Sequence, residues 1–141
     1  MGRKLLVLIG IVTLIASCVV YIDQRYFFNP VVFSKDAITP HSWSDYERPL
    51  TLTYYSLDGE ERTSYRVEQE GDIRQFLKAM KNSPQAQETE ETTEINGALK
   101  LKSNNDTLLE VYFYSDYWHV LKQDRSIYQV TQALKRLIDK L

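Results

Sequence analysis

The sequence predicts an α+β domain, an antiparallel sheet with helices on one face, preceded by one apolar membrane-spanning helix. Three observations carry this. An uncharged run from Leu5 to Ile22 follows Arg3 and Lys4. Segments between Leu50 and Val120 alternate apolar and polar residues with the period of two that a half-buried strand requires. Two other segments, one after the first strand pair and one at the carboxyl end, space their apolar residues three and four apart, as amphipathic helices do.

Composition bounds the rest. With 141 residues, a net charge of −2 and 26% charged residues, there is room for one modest domain, not for a multidomain enzyme. Ten tyrosines oppose disorder, and the near-balanced charge opposes nucleic-acid binding through phosphate contacts. A single cysteine, Cys18, excludes a disulfide framework.

The run from Leu5 to Ile22 is about 27 Å long as a helix, close to the hydrocarbon thickness of a bilayer. Arg3 and Lys4 should hold its first end in the cytoplasm, which places everything after Asp23 outside. Tyr21, Tyr26, Phe27 and Phe28 around Arg25 read as the aromatic belt of an uncleaved signal anchor. Two alternatives stay open. Ile15-Ala16-Ser17-Cys18 also looks like a bacterial lipobox, with Cys18 as the lipidated residue, and a cleaved signal passes the same test. The apolar run continuing through Val19-Val20-Tyr21-Ile22, where a lipoprotein would carry a polar tether, favours the anchor. Residues 1–28 are thus the anchor, 29–49 a proline-containing tether with one short strand near Val31 to Phe33, and 50–141 the domain.

Leu50 to Val67 reads as a hairpin about Asp58-Gly59, a pair suited to a two-residue type I′ turn. That turn sets Tyr55 opposite Arg62, Leu52 opposite Tyr65 and Leu50 opposite Val67. Leu50, Leu52, Tyr54, Tyr65 and Val67 then share one face, and Thr51, Thr53, Ser64 and Arg66 the other. Asp72 follows as a helix cap, and Ile73, Phe76, Leu77 and Met80 form the stripe of a helix that ends before Pro84. Gln85 to Glu94, with Glu88, Glu90, Glu91 and Glu94, reads as an acidic surface loop.

A three-stranded meander comes next. A three-residue loop at Asn104-Asn105-Asp106 sets Leu101 opposite Leu109, Lys100 opposite Glu110 and Leu99 opposite Val111. A turn at Ser115-Asp116 sets Tyr114 opposite Tyr117, Phe113 opposite Trp118, Tyr112 opposite His119 and Val111 opposite Val120. A short strand from Ile127 to Val130 follows a turn at Asp124-Arg125-Ser126. Thr131 caps a last helix whose Leu134, Leu137, Ile138 and Leu141 form one stripe. The sheet's expected half of the core is Leu99, Leu101, Leu109, Val111, Phe113, Trp118 and Val120.

The export segment, Asp72-Ile73-Arg74-Gln75-Phe76-Leu77 after a hairpin, and Ile127-Tyr128-Gln129-Val130 before a terminal helix resemble small membrane-tethered extracytoplasmic proteins of Gram-positive bacteria, including the YhfM-like domains. The resemblance covers about the last 90 residues as an architecture. It implies extracytoplasmic location and an α+β fold, and it carries no catalytic residue across.

No chemistry is nominated by motif. There is no GxSxG, HExxH, CxxC or phosphate-cradling glycine loop. His41 falls in the tether and His119 on a strand, too scattered for a metal site, and the four loop glutamates lack the glycine and Asx residues that shape calcium loops. Asn105-Asp106-Thr107 matches a glycosylation sequon, but Asn105 sits where a tight turn wants asparagine. The chain is read as a non-enzyme without metal or cofactor. What stands out is the outer sheet face, where Tyr112, Tyr114, Tyr117 and His119 lie side by side, flanked by Lys100, Lys102 and Glu110. Clustered tyrosines suit protein-binding patches and carbohydrate platforms, and cross-strand aromatic pairing alone also accounts for them. The expected role is an envelope accessory domain that binds a protein partner; the alternative is a lipoprotein that binds a small ligand or cell-wall glycan with the acidic loop as a lid. Removing Arg3 and Lys4 from the 17 basic residues leaves 15 against 19 acidic ones, so the exported part carries −4.

Overall fold

The apolar run forms the helix α1 (Gly2–Ile22), about 31 Å long at the α-helical rise. Lys4–Ile22 is long and apolar enough to cross a membrane, a property that a signal sequence shares. Its apolar side chains are exposed on every side, Cys18 among them. Thr13 and Ser17 donate their hydroxyls to the Ile9 and Thr13 carbonyls, both at 2.9 Å, so these polar groups are satisfied within the helix itself.

The structure, a computed structural model, describes residues 2–23, 25, 46–57, 61–87, 94–104, 106–121 and 126–141. After α1 come β1 (Leu50–Ser56), β2 (Thr63–Val67), α2 (Glu70–Lys81), β3 (Gly97–Ser103), β4 (Asp106–Phe113), β5 (Tyr117–Val120), β6 (Ile127–Gln129) and α3 (Gln132–Ile138). The α+β class is borne out. The six strands make one antiparallel sheet in the order β2-β1-β3-β4-β5-β6. Tyr26, Phe27, Phe28, Val31 to Phe33, His41, Asp58, Gly59, Glu88, Glu90, Glu91, Asn105, Asp124 and Arg125 lie outside the described residues.

The first hairpin departs from the expected register. Leu52 pairs with Val67, Tyr54 with Tyr65 and Tyr55 with Ser64, two residues away from what a two-residue Asp58-Gly59 turn would impose. The preference of a turn is local, whereas the register is decided by which buried side chains meet, here Val67 against Leu52. A slip of two keeps every side chain on its face, so Leu50, Leu52, Tyr54 and Val67 are buried as expected. Tyr65 is not: among the described residues no strand lies beyond β2, and Tyr65 is 36% exposed.

The meander follows the sequence more closely. Leu99, Lys100 and Leu101 face Val111, Glu110 and Leu109 as expected. The register then shifts, with Lys102 opposite Thr107 and Ser103 opposite Asp106, so Leu108 is a bulge residue. The strands therefore run on to a turn tighter than the expected three-residue loop, and Asn104 takes the left-handed conformation that such a turn requires, with φ 51°. Val111, Tyr112 and Phe113 face Val120, His119 and Trp118 as expected.

Helix α2 starts before Asp72. Gln69 occupies the cap position without a side-chain hydrogen bond, and Asp72 sits with Glu70 in the first turn, where carboxylates complement the helix dipole. Glu70 is only 1% exposed and takes a forked hydrogen bond from Arg48, Nη2 to Oε1 at 2.8 Å and Nε to Oε2 at 3.3 Å. A polar residue at the start of an apolar stripe reads as solvent-facing, which hid this buried ion pair. Thr131 does cap α3, accepting from the Leu134 amide at 3.3 Å.

One core joins these elements. All seven sheet residues expected there are buried, and they cluster with Ile73, Phe76, Leu77 and Met80 of α2, Leu134 of α3, and Tyr46. Trp118, at 0% exposure, stacks on Tyr128 at 4.6 Å and donates from Nε1 to the Ser83 hydroxyl at 3.4 Å. Gly97 is required by its neighbour, since a Cβ there would lie 2.5 Å from the Tyr54 hydroxyl.

Candidate functional site

Side chains one residue removed from the core form the outer face of the same strands. The pairings of β1, β3, β4, β5 and β6 line up Tyr55, Ala98, Tyr112, His119 and Ile127 in one row across the sheet. Tyr114 and Tyr117 stand beside this row, held together by the short Ser115-Asp116 turn, across which the Tyr114 amide donates to the Tyr117 carbonyl at 2.8 Å. Lys100 and Glu110 form the next row on the other side.

The four residues expected to form the patch are brought together. Tyr114 stacks on Tyr117 with centroids 4.5 Å apart and planes 14° apart, and on His119 at 5.5 Å and 24°. Tyr112 meets His119 edge-on, at 6.0 Å and 82°. These contacts make a continuous aromatic surface, half-buried by its own members. Burial holds the Tyr114 phenol above the ordinary tyrosine range, reinforced by Tyr117 and Tyr112. Lys100 and Glu110 form an ion pair of 3.0 Å. The Glu110 hydrogen bond, followed by the attraction of its charge, raises the lysine above its usual value against a smaller opposing effect of burial.

Tyr55 is the member that sequence reasoning missed. Its parity on β1 was available, but its place beside Ala98 and Tyr112 depends on β1 pairing with β3, a contact remote in sequence. Ala98 is a low floor between the two tyrosines. The resulting trough, about 230 Å³, is lined by Tyr55, Leu57, Arg62, Ala98, Lys100, Glu110 and Tyr112.

Other features are less concentrated. A polar cleft of about 500 Å³ lies between the end of α3 and the sheet, lined in part by Tyr54, Tyr65, Glu94, Asn96 and Asp139. Among the described residues, no group of three or more His, Cys, Asp or Glu side chains is placed to hold a metal ion. Arg25, near the end of α1, is buried, and its guanidinium donates to the Leu50 carbonyl, to the Glu68 carbonyl at 2.7 Å and to the Thr51 hydroxyl at 3.2 Å. The arginine expected in an interfacial belt thus engages the ends of β1 and β2. No protein-family model, curated protein or solved structure matches the chain.

Proposed function

We propose that this chain is a single-pass membrane protein whose extracytoplasmic α+β domain binds a protein partner at the cell envelope through the outer sheet face. The observation that carries this reading is the aromatic row itself. Tyr55, Tyr112, Tyr114, Tyr117 and His119 converge from three strands on one side of the sheet, with the Lys100–Glu110 pair beside them. Rigid aromatic groups with polar tips supply contact area at low entropic cost, and a charged pair alongside supplies orientation. The location is supported by α1, whose length and apolar character suit a membrane span, and by Arg3 and Lys4, whose positive charge favours keeping that end in the cytoplasm.

A second reading is favoured by the trough over Ala98, whose tyrosine walls suit a single ring of a small ligand or glycan. One experiment separates the two. Tyr112→Ala with Tyr117→Ala is expected to leave the domain folded, because both side chains are only partly buried, and to abolish in-membrane crosslinking to the protein partner. Unchanged crosslinking would remove the outer face from the protein-binding role. Saturable binding of cell-wall fragments, lost in the same variant, would move the assignment to the glycan reading.

A further inference from the structure

The two edges of the sheet are finished differently. Along β6 the chain covers itself: the Ala86 amide donates to the Ile127 carbonyl at 2.9 Å, the Gln129 amide donates to the Pro84 carbonyl at 2.9 Å, and Gln85 bridges Tyr128. The backbone groups that would otherwise template another strand are used. Along β2 no described residue does the same. Thr63, Ser64, Tyr65 and Arg66 are all exposed, the register with β1 runs without a bulge, and the strand contains no proline; its one charged residue, Arg66, lies 3.7 Å from Glu68. Bulges, prolines and charged side chains, lysine above all, are the usual means of blunting an edge, and of these β2 has only the Arg66 charge, which Glu68 offsets.

We propose that β2 pairs antiparallel with β2 of a second copy of this chain, about a two-fold axis through Tyr65, joining two six-stranded sheets into one. The charges select this register. Centred on Tyr65, Arg62 stands opposite Glu68 of the second copy and Glu68 opposite its Arg62, with Ser64 opposite Arg66 and Thr63 opposite Val67. Side-chain alternation requires slips by whole pairs. One slip places Arg62 opposite Arg66, and the other places Arg66 opposite itself, so both neighbouring registers set like charges together. In the chosen register each Glu68, already 3.7 Å from its own Arg66, lies between two guanidinium groups. Tyr65 faces its own copy, converting an exposed aromatic side chain into a cross-strand aromatic pair.

The test is charge reversal in the full chain, measured by sedimentation in detergent. The unchanged chain is expected to be a dimer. Glu68→Arg should weaken association about tenfold or more, and adding Arg62→Glu should restore it, because the two reversals recreate the same pairs. A cysteine probe fixes the register: in a Cys18→Ser background, Tyr65→Cys should crosslink to itself on oxidation, since directly opposed Cβ atoms lie about 5 Å apart, whereas Thr63→Cys should not. A monomer at every concentration overturns the proposal. So does a dimer that ignores Glu68→Arg, or equal crosslinking through Thr63. A monomer whose β2 amides resist hydrogen exchange would assign the edge to another segment of the same chain and overturn the pairing equally.

Discussion

Trp118 and His119 are adjacent on β5 and belong to different halves of the molecule. Trp118 is fully enclosed between Tyr128, the Ser83 hydroxyl and the helices, while His119 lies half-buried among Tyr112 and Tyr114 on the opposite face. Both share the same hydrogen-bonded ladder, so the difference arises from the pleat alone. The inner face is built of interlocking apolar shapes whose loss is felt as a cavity. The outer face is built of aromatic contacts that remain partly wet, so its loss should be felt by whatever meets it rather than by the fold.

The largest test of that contrast is therefore a pair of substitutions one residue apart. Trp118→Ala is expected to destabilise the domain by about 3–5 kcal/mol, the range for emptying a large aromatic site in a core. His119→Ala should cost under about 1 kcal/mol, the scale of one cross-strand aromatic pair. Denaturant unfolding measures both, and comparable losses would show that the outer face is structural and remove the main support for a binding role.

A smaller effect is expected where the inner face is closed by the absence of a side chain. Gly97→Ala puts a Cβ at 2.5 Å from the Tyr54 hydroxyl and at 2.9 and 3.0 Å from ring carbons. Tyr54 is itself packed edge-on against Phe113 at 6.0 Å, so the ring's room to give way is on the side of the cleft it lines. Overpacking of this kind costs about 1–3 kcal/mol, measured as a lower unfolding midpoint. Ala98→Gly, the neighbouring position on the outer face, removes a side chain from the open trough and should cost about 1 kcal/mol or less through backbone entropy.

These contrasts also explain what could be read from the chain. Inner and outer residues were legible because alternation survives an error of two, as the hairpin shows: its register moved, and only Tyr65, on an edge, left the core. The tight turn at Ser115-Asp116 made three cross-strand pairs legible outright. The patch of Tyr112, Tyr114, Tyr117 and His119 followed from that turn, since all four lie within one local hairpin. Tyr55 did not, because its neighbours come from strands distant in sequence. Arg48 with Glu70, and Arg25 with the carbonyls of Leu50 and Glu68, escaped for a different reason. Charged residues are expected in water, and only the tertiary fold supplies the partner that makes their burial tolerable.

The smallest expected effect concerns ionisation on the outer face. Tyr114 holds its proton more tightly in the fold than an exposed tyrosine, because burial disfavours the phenolate and the neighbouring Tyr117 and Tyr112 add to it. Lys100 is likewise held above its ordinary value by Glu110. Both shifts are upward, so both groups bind protons more strongly folded than unfolded. Their stabilising contribution is complete below the ordinary tyrosine and lysine values, near pH 10, and is lost as pH rises through the folded values. The domain should therefore lose thermal stability progressively above about pH 10. Tyr114→Phe has no phenol to ionise, and Lys100→Met no ammonium, so each should show a shallower alkaline decline than the unchanged protein while matching its slope near neutrality. Because Lys100 is one-third exposed, solvent screens its pair and its share should be the lesser. An identical alkaline slope in the Tyr114→Phe variant would mean that the stacked tyrosines are as wet as isolated ones. The aromatic row would then be a set of separate side chains rather than one surface.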